Sequence, residues 1–405
     1  MLEVVEYRPK PKFEISKNLL RKKCSMQFLP ESLEELSEQI KFQYGDKTLK
    51  VSYLIDIVHN LILKYYFKKD NLFHLSSLIL KEKYGHLYNH YMSFLVGKGI
   101  LKVVKNHQKG KNSRVYKLDE SIISSRISRY RNQDQVLLKK YRNAVELIEK
   151  EDIQKNDIPH LIKKKLVSDL FFVEIDFAKS IFYLDQTNHD TDIYNRNKYS
   201  VECINDKHIF YHFDSYGRMH TNFTILKSFI RKNCLMIEGE ETVEIDIKNS
   251  QPLFLCKLIE EYGPGIVDPE EYKLFKILTL SGNFYQYMMD NSGIRDRKEM
   301  KEIVYRVFFG KNFKTKADTM FGDIFPTVHK FIKSYKKERG NYRVLSHDLQ
   351  NLESDLIFDK IVGEIMESHP EIRIITVHDS LICRKKYRTI VEDIFNDNLK
   401  KEFHI

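Results

Sequence analysis

The chain has 405 residues, with 67 Lys and Arg against 57 Asp and Glu, a formal net charge of +10. That length is enough for two or three domains with proper cores, and the basic surplus points to a polyanionic partner, of which nucleic acid is the commonest. Cys24, Cys203, Cys234, Cys256 and Cys383 are scattered without a Cys-x-x-Cys pair, which argues against a disulfide framework or a structural zinc and for a reducing, cytoplasmic setting; no apolar run is long enough for a membrane span, and the first residues lack a signal-peptide layout.

In chain order, residues 1 to 45 read as a charged arm with a short helix around 32–41. Residues 51–118 carry the pattern of a winged helix. Helices are expected over 54–67, 75–82 and 87–96, the last stopped by Gly97-Lys98-Gly99. A strand over 100–104, a basic turn over 107–114 and a returning strand over 115–118 complete it. Lys109, Lys111 and Arg114, with Lys98, Lys102, Lys105 and Lys117, would make a positive wing that contacts DNA or RNA; a solvated charged hairpin is the plain alternative. Residues 120–200 are rich in helical periodicity, clearest over 136–150, and the basic run 158–165 offers a phosphate contact.

From about residue 199 apolar strands and helices alternate, and the chemistry concentrates there. Thr242-Val243-Glu244-Ile245-Asp246 puts an aspartate at the end of a β-prone run. Arg373-Ile-Ile-Thr-Val-His378-Asp379-Ser380-Leu-Ile382 puts a second one at the turn between two such runs. Aspartates on neighbouring strands suit hard cations such as Mg²⁺ and a two-metal phosphoryl displacement. After Asp246, Ser250 is placed to cap a helix over 253–262, with Pro252 in its first turn and Gln251 close to the metal. Arg297, Lys301, Tyr305 and Phe309 recur every four residues on one helix face that Gly310 terminates. Two cations one turn apart can grip a triphosphate, and an aromatic side chain beyond them can stack on a base. Gly217-Arg218 reads as a turn whose arginine forks onto a phosphate or base edge, or else onto a carboxylate. Gln350 to Asp355 lies on a helix shortly before the His378-Asp379 turn.

Taken together and in this order, these residues resemble the palm and fingers of the superfamily of family A DNA polymerases and single-subunit RNA polymerases. Asp246 matches the first metal-binding aspartate of that family and Asp379, after His378, the second. Arg297, Lys301, Phe309 and Gly310 match its fingers helix in register, Gly217-Arg218 its Gly-Arg segment, and Gln350 with Asp355 its Gln-x-x-x-x-Asp helix. The chain departs from the family in carrying Phe309 where Tyr is usual, and Ser250-Gln251-Pro252 where a steric gate is usual.

The resemblance implies an α+β right-hand fold: an antiparallel palm sheet with helical fingers over 206–405, a thumb-like or connecting helical region over 120–205, and the basic winged-helix-like region over 1–119. It implies DNA-templated nucleotidyl transfer with two Mg²⁺ (Mn²⁺ as a substitute) on Asp246 and Asp379. Arg297, Lys301, Phe309, Gly310 and Gln251 would bind the nucleotide, with Lys301 also a general acid. Arg218, His378 and Gln350 would lie at the primer end. No acidic exonuclease pattern precedes the palm, so proofreading is not expected. Primer extension from dNTPs is the first expectation. An NTP-using RNA polymerase or primase, a template-independent transferase, and a non-catalytic replication initiator are the alternatives. A polymerase this compact would suit a phage, plasmid or other mobile element.

Overall fold

The computed structural model describes residues 26–68, 71–106, 113–152, 160–187 and 190–404. It is a mixed α+β chain with antiparallel sheets. The chain divides into two compact units. Met1–Glu151, Glu174–Phe210 and Ile225–Leu235 make the first; Asp152–Val173, Tyr211–Thr224 and Met236–Ile405 make the second. Residues 120–205 are therefore shared between them. Among the described residues no helix is long and apolar enough to cross a membrane, and Cys203, Cys234, Cys256 and Cys383 are free thiols, all buried.

In the first unit α1 (Val51–Lys68) buries Val51, Leu54, Ile55, Val58, Leu61 and Ile62. That is the spacing of an apolar stripe on a helix. β1 (Phe73–Leu75), α2 (Ser77–Tyr84), α3 (Tyr88–Gly97), β2 (Leu101–Lys105) and β3 (Arg114–Leu118) follow, with β3 between β1 and β2 in an antiparallel sheet. The helix expected from residue 75 begins two residues later, because Phe73-His74-Leu75 pairs with β3 instead. Three residues carry too little periodicity to announce such a strand. Lys102 and Lys117 of the hairpin are neutralised by Asp119 (2.5 Å) and Glu120 (2.8 Å), whereas Arg114 is exposed. Lys109 and Lys111 lie outside the described residues.

After the helix His160–Leu170, the second unit continues with the hairpin β4 (Tyr211–Phe213) and β5 (Met219–Thr221). Its main sheet has β6 (Glu240–Asp246) between residues 236–237 and β8 (Ser380–Arg384), with β7 (Ile375–Val377) beyond β8. A helical layer follows β6 in sequence: α4 (Ser250–Tyr262), α5 (Pro269–Leu280), α6 (Phe284–Ser292), α7 (Arg297–Phe309), α8 (Lys316–Ile324), α9 (Pro326–Glu338) and α10 (Val344–Ser354). α10 runs on through a π-helical stretch, Asp355–Val362, into Gly363–Ser368.

The helices close on an aromatic core. Phe325 is fully enclosed, with ring centroids of Phe275, Phe284 and Phe321 at 5.3, 6.0 and 5.9 Å. Phe325→Ala is expected to destabilise the protein by about 3–5 kcal/mol, since a large cavity opens among rings that cannot collapse into it. Chemical denaturation measures this; a loss within about 1 kcal/mol of zero would mean that the rings repack.

Candidate active site

Asp246 and Asp379 come together through strand register. Thr242, Val243 and Ile245 favour an extended backbone, and β6 pairs antiparallel with β8 so that Asp246 lies opposite Ser380. Val377 pairs with Ser380 across the β7–β8 turn, which leaves His378-Asp379 as a two-residue loop. His378 adopts φ +54°, a left-handed conformation uncommon outside glycine. The Ile247 amide donates to the Asp379 carbonyl at 3.1 Å and pins the loop to the end of β6. Asp246 is exposed and has no cationic partner among the described residues. The half-buried Asp379 carboxyl is held above the usual carboxylate range by burial, with the Asp246 charge adding to the rise.

The stripe on α7 carries a tyrosine that feels the Asp379 charge. Asp296 caps the helix by accepting from the Lys298 amide. Met300, Val304, Val307 and Phe308 fill the buried side, which leaves Arg297, Lys301 and Tyr305 exposed and Phe309 half-buried. Lys336, buried on α9, donates from Nζ to the carbonyls of Val307 (2.6 Å) and Gly310 (2.9 Å). It thereby satisfies acceptors that the helix end would otherwise leave open. The Arg297 guanidinium and the Lys301 ammonium lie 5.3 and 5.5 Å from the Tyr285 ring centroid. Neither has a carboxylate partner among the described residues. Tyr305 packs on Phe309 with centroids 5.3 Å apart. Burial first, then the Asp379 charge, raises the Tyr305 hydroxyl; Tyr285, raised by burial and its bond to Tyr305, also feels Asp379. Asp379 therefore lies within electrostatic reach of the Tyr305 and Tyr285 hydroxyls.

Arg218 sits just after Gly217, whose φ of +82° a side chain would strain. Asp214 shapes this turn by accepting from the amides of Tyr216 (2.9 Å) and Arg218 (3.0 Å), and it holds His220 Nε2 at 2.8 Å. The Arg218 fork is taken by Glu353: Nε donates to Oε1 at 2.9 Å and a terminal nitrogen to Oε2 at 2.8 Å. Of the partners weighed from sequence, a carboxylate holds this arginine. Glu353 is 1% exposed and also accepts from Gln251 Nε2 (2.7 Å) and Ser250 Oγ (3.2 Å).

One expectation changes here. Ser250 does not cap α4; the N-cap is Asn249 at φ +54°, without a side-chain capping bond, and the serine hydroxyl turns to Glu353. Gln251 is buried against Glu353. On α10 the half-buried Gln350 lies one turn before Glu353, while Asp355 is exposed. His378 meets His220 edge to face, with centroids 6.0 Å apart.

Sequence reasoning overlooked Glu353, Tyr285, and the Asp214–His220 pair. Only Glu353 left a usable signal, a carboxylate three residues after Gln350 and on its face.

Burial foremost, with the nearby Asp379 charge, pushes Glu353 up to about 7 against the opposing pull of Arg218. Both carboxyls are thus raised in the folded chain. Their contribution to stability is present at low pH and is lost as pH rises toward neutrality. The wild-type melting temperature is accordingly expected to fall between about pH 6 and about pH 8 by more than that of Glu353→Gln, whose side chain stays neutral. Equal falls for the two proteins in differential scanning fluorimetry would contradict this.

No group of three or more His, Cys, Asp or Glu side chains with metal-holding geometry occurs among the described residues. The chemistry of the pair still fits Mg²⁺. That ion keeps several waters, uses one or two carboxylates, and completes its shell with substrate phosphates. Two close carboxylates with no balancing cation on Asp246 match this donor set. Compared with known proteins, the chain matches no protein-family model and no curated protein.

Proposed function

We propose that the second unit catalyses templated nucleotidyl transfer, joining a deoxynucleoside triphosphate to a primer without proofreading. The observation that carries this reading is the adjacency of Asp246, at the end of β6, and Asp379, in the turn that leads into its partner strand β8, with Asp379 in electrostatic reach of the Tyr285 and Tyr305 hydroxyls beside two cations of α7 that have no carboxylate partner among the described residues. Asp246 and Asp379 would hold Mg²⁺, which when bound supplies charge neutralisation at the triphosphate and acidifies the attacking hydroxyl.

The chain's own groups do the rest by position and charge. Arg297 and Lys301 bind the triphosphate; the Tyr285 ring beside both favours cations at that spot. The Tyr305 and Phe309 rings offer planes to the base. The primer 3′-hydroxyl loses its proton to solvent as its oxygen bonds to the α-phosphorus and the bond to pyrophosphate breaks, and Lys301 gives a proton to the leaving oxygen. His378, on its strained turn beside Asp379, and Gln350 lie toward the primer end. Arg218, tied to Glu353, serves here as part of the wall of the site.

The order of helices and hairpin in the first unit supports a winged-helix reading of that region, with exposed Arg114 as a contact to nucleic acid. A second reading, use of ribonucleotides, is favoured by one observation. Gln251 is held on Glu353, so its side chain is not free to crowd a ribose 2′-hydroxyl.

Labelled dNTPs and NTPs offered with Mg²⁺ on primed and bare templates separate the readings. Extension from dNTPs on the primed strand is the expected result. Products from NTPs on the bare strand indicate an RNA polymerase or primase, and an absence of product in every lane contradicts catalysis.

A further inference from the structure

One side chain of α9 holds the end of α7. Lys336 is 2% exposed, and its Nζ donates to the carbonyls of Val307 at 2.6 Å and of Gly310 at 2.9 Å. Phe309 lies between these two acceptors in the chain. The Gly310 amide closes the last turn on the Arg306 carbonyl at 2.9 Å, and a Cβ added at Gly310 would collide with that carbonyl. Just beyond, Asn312 Nδ2 donates to the Lys333 carbonyl at 3.0 Å, so a second bond ties the same stretch to α9.

Helix ends are commonly satisfied by water or by a glycine turn. Here a buried ammonium from another helix does it, with no carboxylate partner among the described residues. Burying a cation costs more than burying a neutral donor, and the negative end of a helix dipole offsets only part of that. What the lysine adds over a simple cap is location. Two short bonds from one nitrogen, carried on a helix anchored by buried Phe331, Ile332 and Tyr335, hold the last turn of α7 at a set distance from α9. The side chain held most directly is Phe309, whose ring packs on Tyr305.

We propose that Lys336 is a positioning residue for the nucleotide: by fixing the last turn of α7 it holds the Phe309 ring in the orientation that meets the base. The inference rests on the reading of α7 as the nucleotide-binding helix.

The test compares wild type with Lys336→Met, which keeps the apolar stem and removes both hydrogen bonds. In primer extension the nucleotide KM is expected to rise by about tenfold, the scale of a lost base-stacking contact, with kcat within about twofold of wild type. In the Phe309→Ala background Lys336→Met should add nothing to KM, because the two act in series. Lys336→Gln, with a shorter and uncharged donor, enters the same cycle if Lys336→Met folds poorly. A third arm needs no turnover. The chain has no tryptophan, so Phe309→Trp supplies a single indole at the helix end, and its fluorescence anisotropy should fall when Lys336→Met is added.

An unchanged KM, a loss in kcat alone, or a full additional effect in the Phe309→Ala background overturns the proposal, as does an unchanged anisotropy. Any of these in a wild-type chain that incorporates nucleotides leaves the functional reading standing. A folded wild-type chain that incorporates none overturns both, whatever the anisotropy shows.

Discussion

Asp246→Asn should lower nucleotide incorporation by roughly a thousand-fold or more, since the charge neutralisation it supports is worth several kcal/mol and each tenfold in rate corresponds to about 1.4 kcal/mol. The asparagine keeps the shape of the side chain, so the strand end and its pairing with β8 remain. Because Asp246 and Asp379 repel one another across that pairing, the variant should melt no lower than wild type in the absence of Mg²⁺, and its Mg²⁺-induced shift should shrink. Asp379→Asn should behave in the same way. Normal incorporation by either variant would mean that the two carboxylates are structural neighbours without a catalytic role. A large drop in melting temperature would instead assign the loss to the fold.

Lys301→Ala carries the next largest effect. The ammonium is exposed, has no carboxylate partner among the described residues, and lies 5.5 Å from the Tyr285 ring centroid, so the folded chain offers little else for it to do. Removal of one preorganised charge of this kind costs about 10²–10³-fold in kcat. Loss in kcat and in kcat/KM together would place its interaction in the transition state, and a rise in KM alone would make it a simple binding group. Arg297→Ala, one turn earlier, should weigh more on KM. Because the stripe lies on solvent, neither variant should shift the melting temperature by more than about 0.5 kcal/mol equivalent. Incorporation unaffected by Lys301→Ala would remove the stripe from the account.

The sequence spoke most clearly where one residue pattern has one physical solution. A β-branched run ending in aspartate, and a second broken by His-Asp, leave few choices but paired strands and a tight turn. Four residues spaced by one helical turn before a glycine define a face whatever surrounds them. The same holds for α1, whose apolar stripe is long.

Legibility fails where partners are distant or local preference is silent. Arg218 and Glu353 stand 135 residues apart, and nothing in either neighbourhood selects the other. Within 350–355 every residue but Leu352 is polar, and packing alone buries Glu353 and exposes Asp355. Ser250 has the chemistry of a cap, yet a buried carboxylate nearby outcompetes the helix end for its hydroxyl. The π-helical stretch from Asp355 to Val362 begins two residues after Glu353. Such stretches often mark functional sites, but no residue pattern announced this one.

The central claim is that the paired aspartates make the second unit a nucleotidyl transferase. Extension of a labelled primer on a template with Mg²⁺ and dNTPs, wild type beside Asp379→Asn, tests it most directly. The account predicts a ladder of products from wild type that disappears when Mg²⁺ is chelated and is absent from the variant. Products of equal intensity from both proteins, or none from a wild type that folds and binds Mg²⁺, would contradict it.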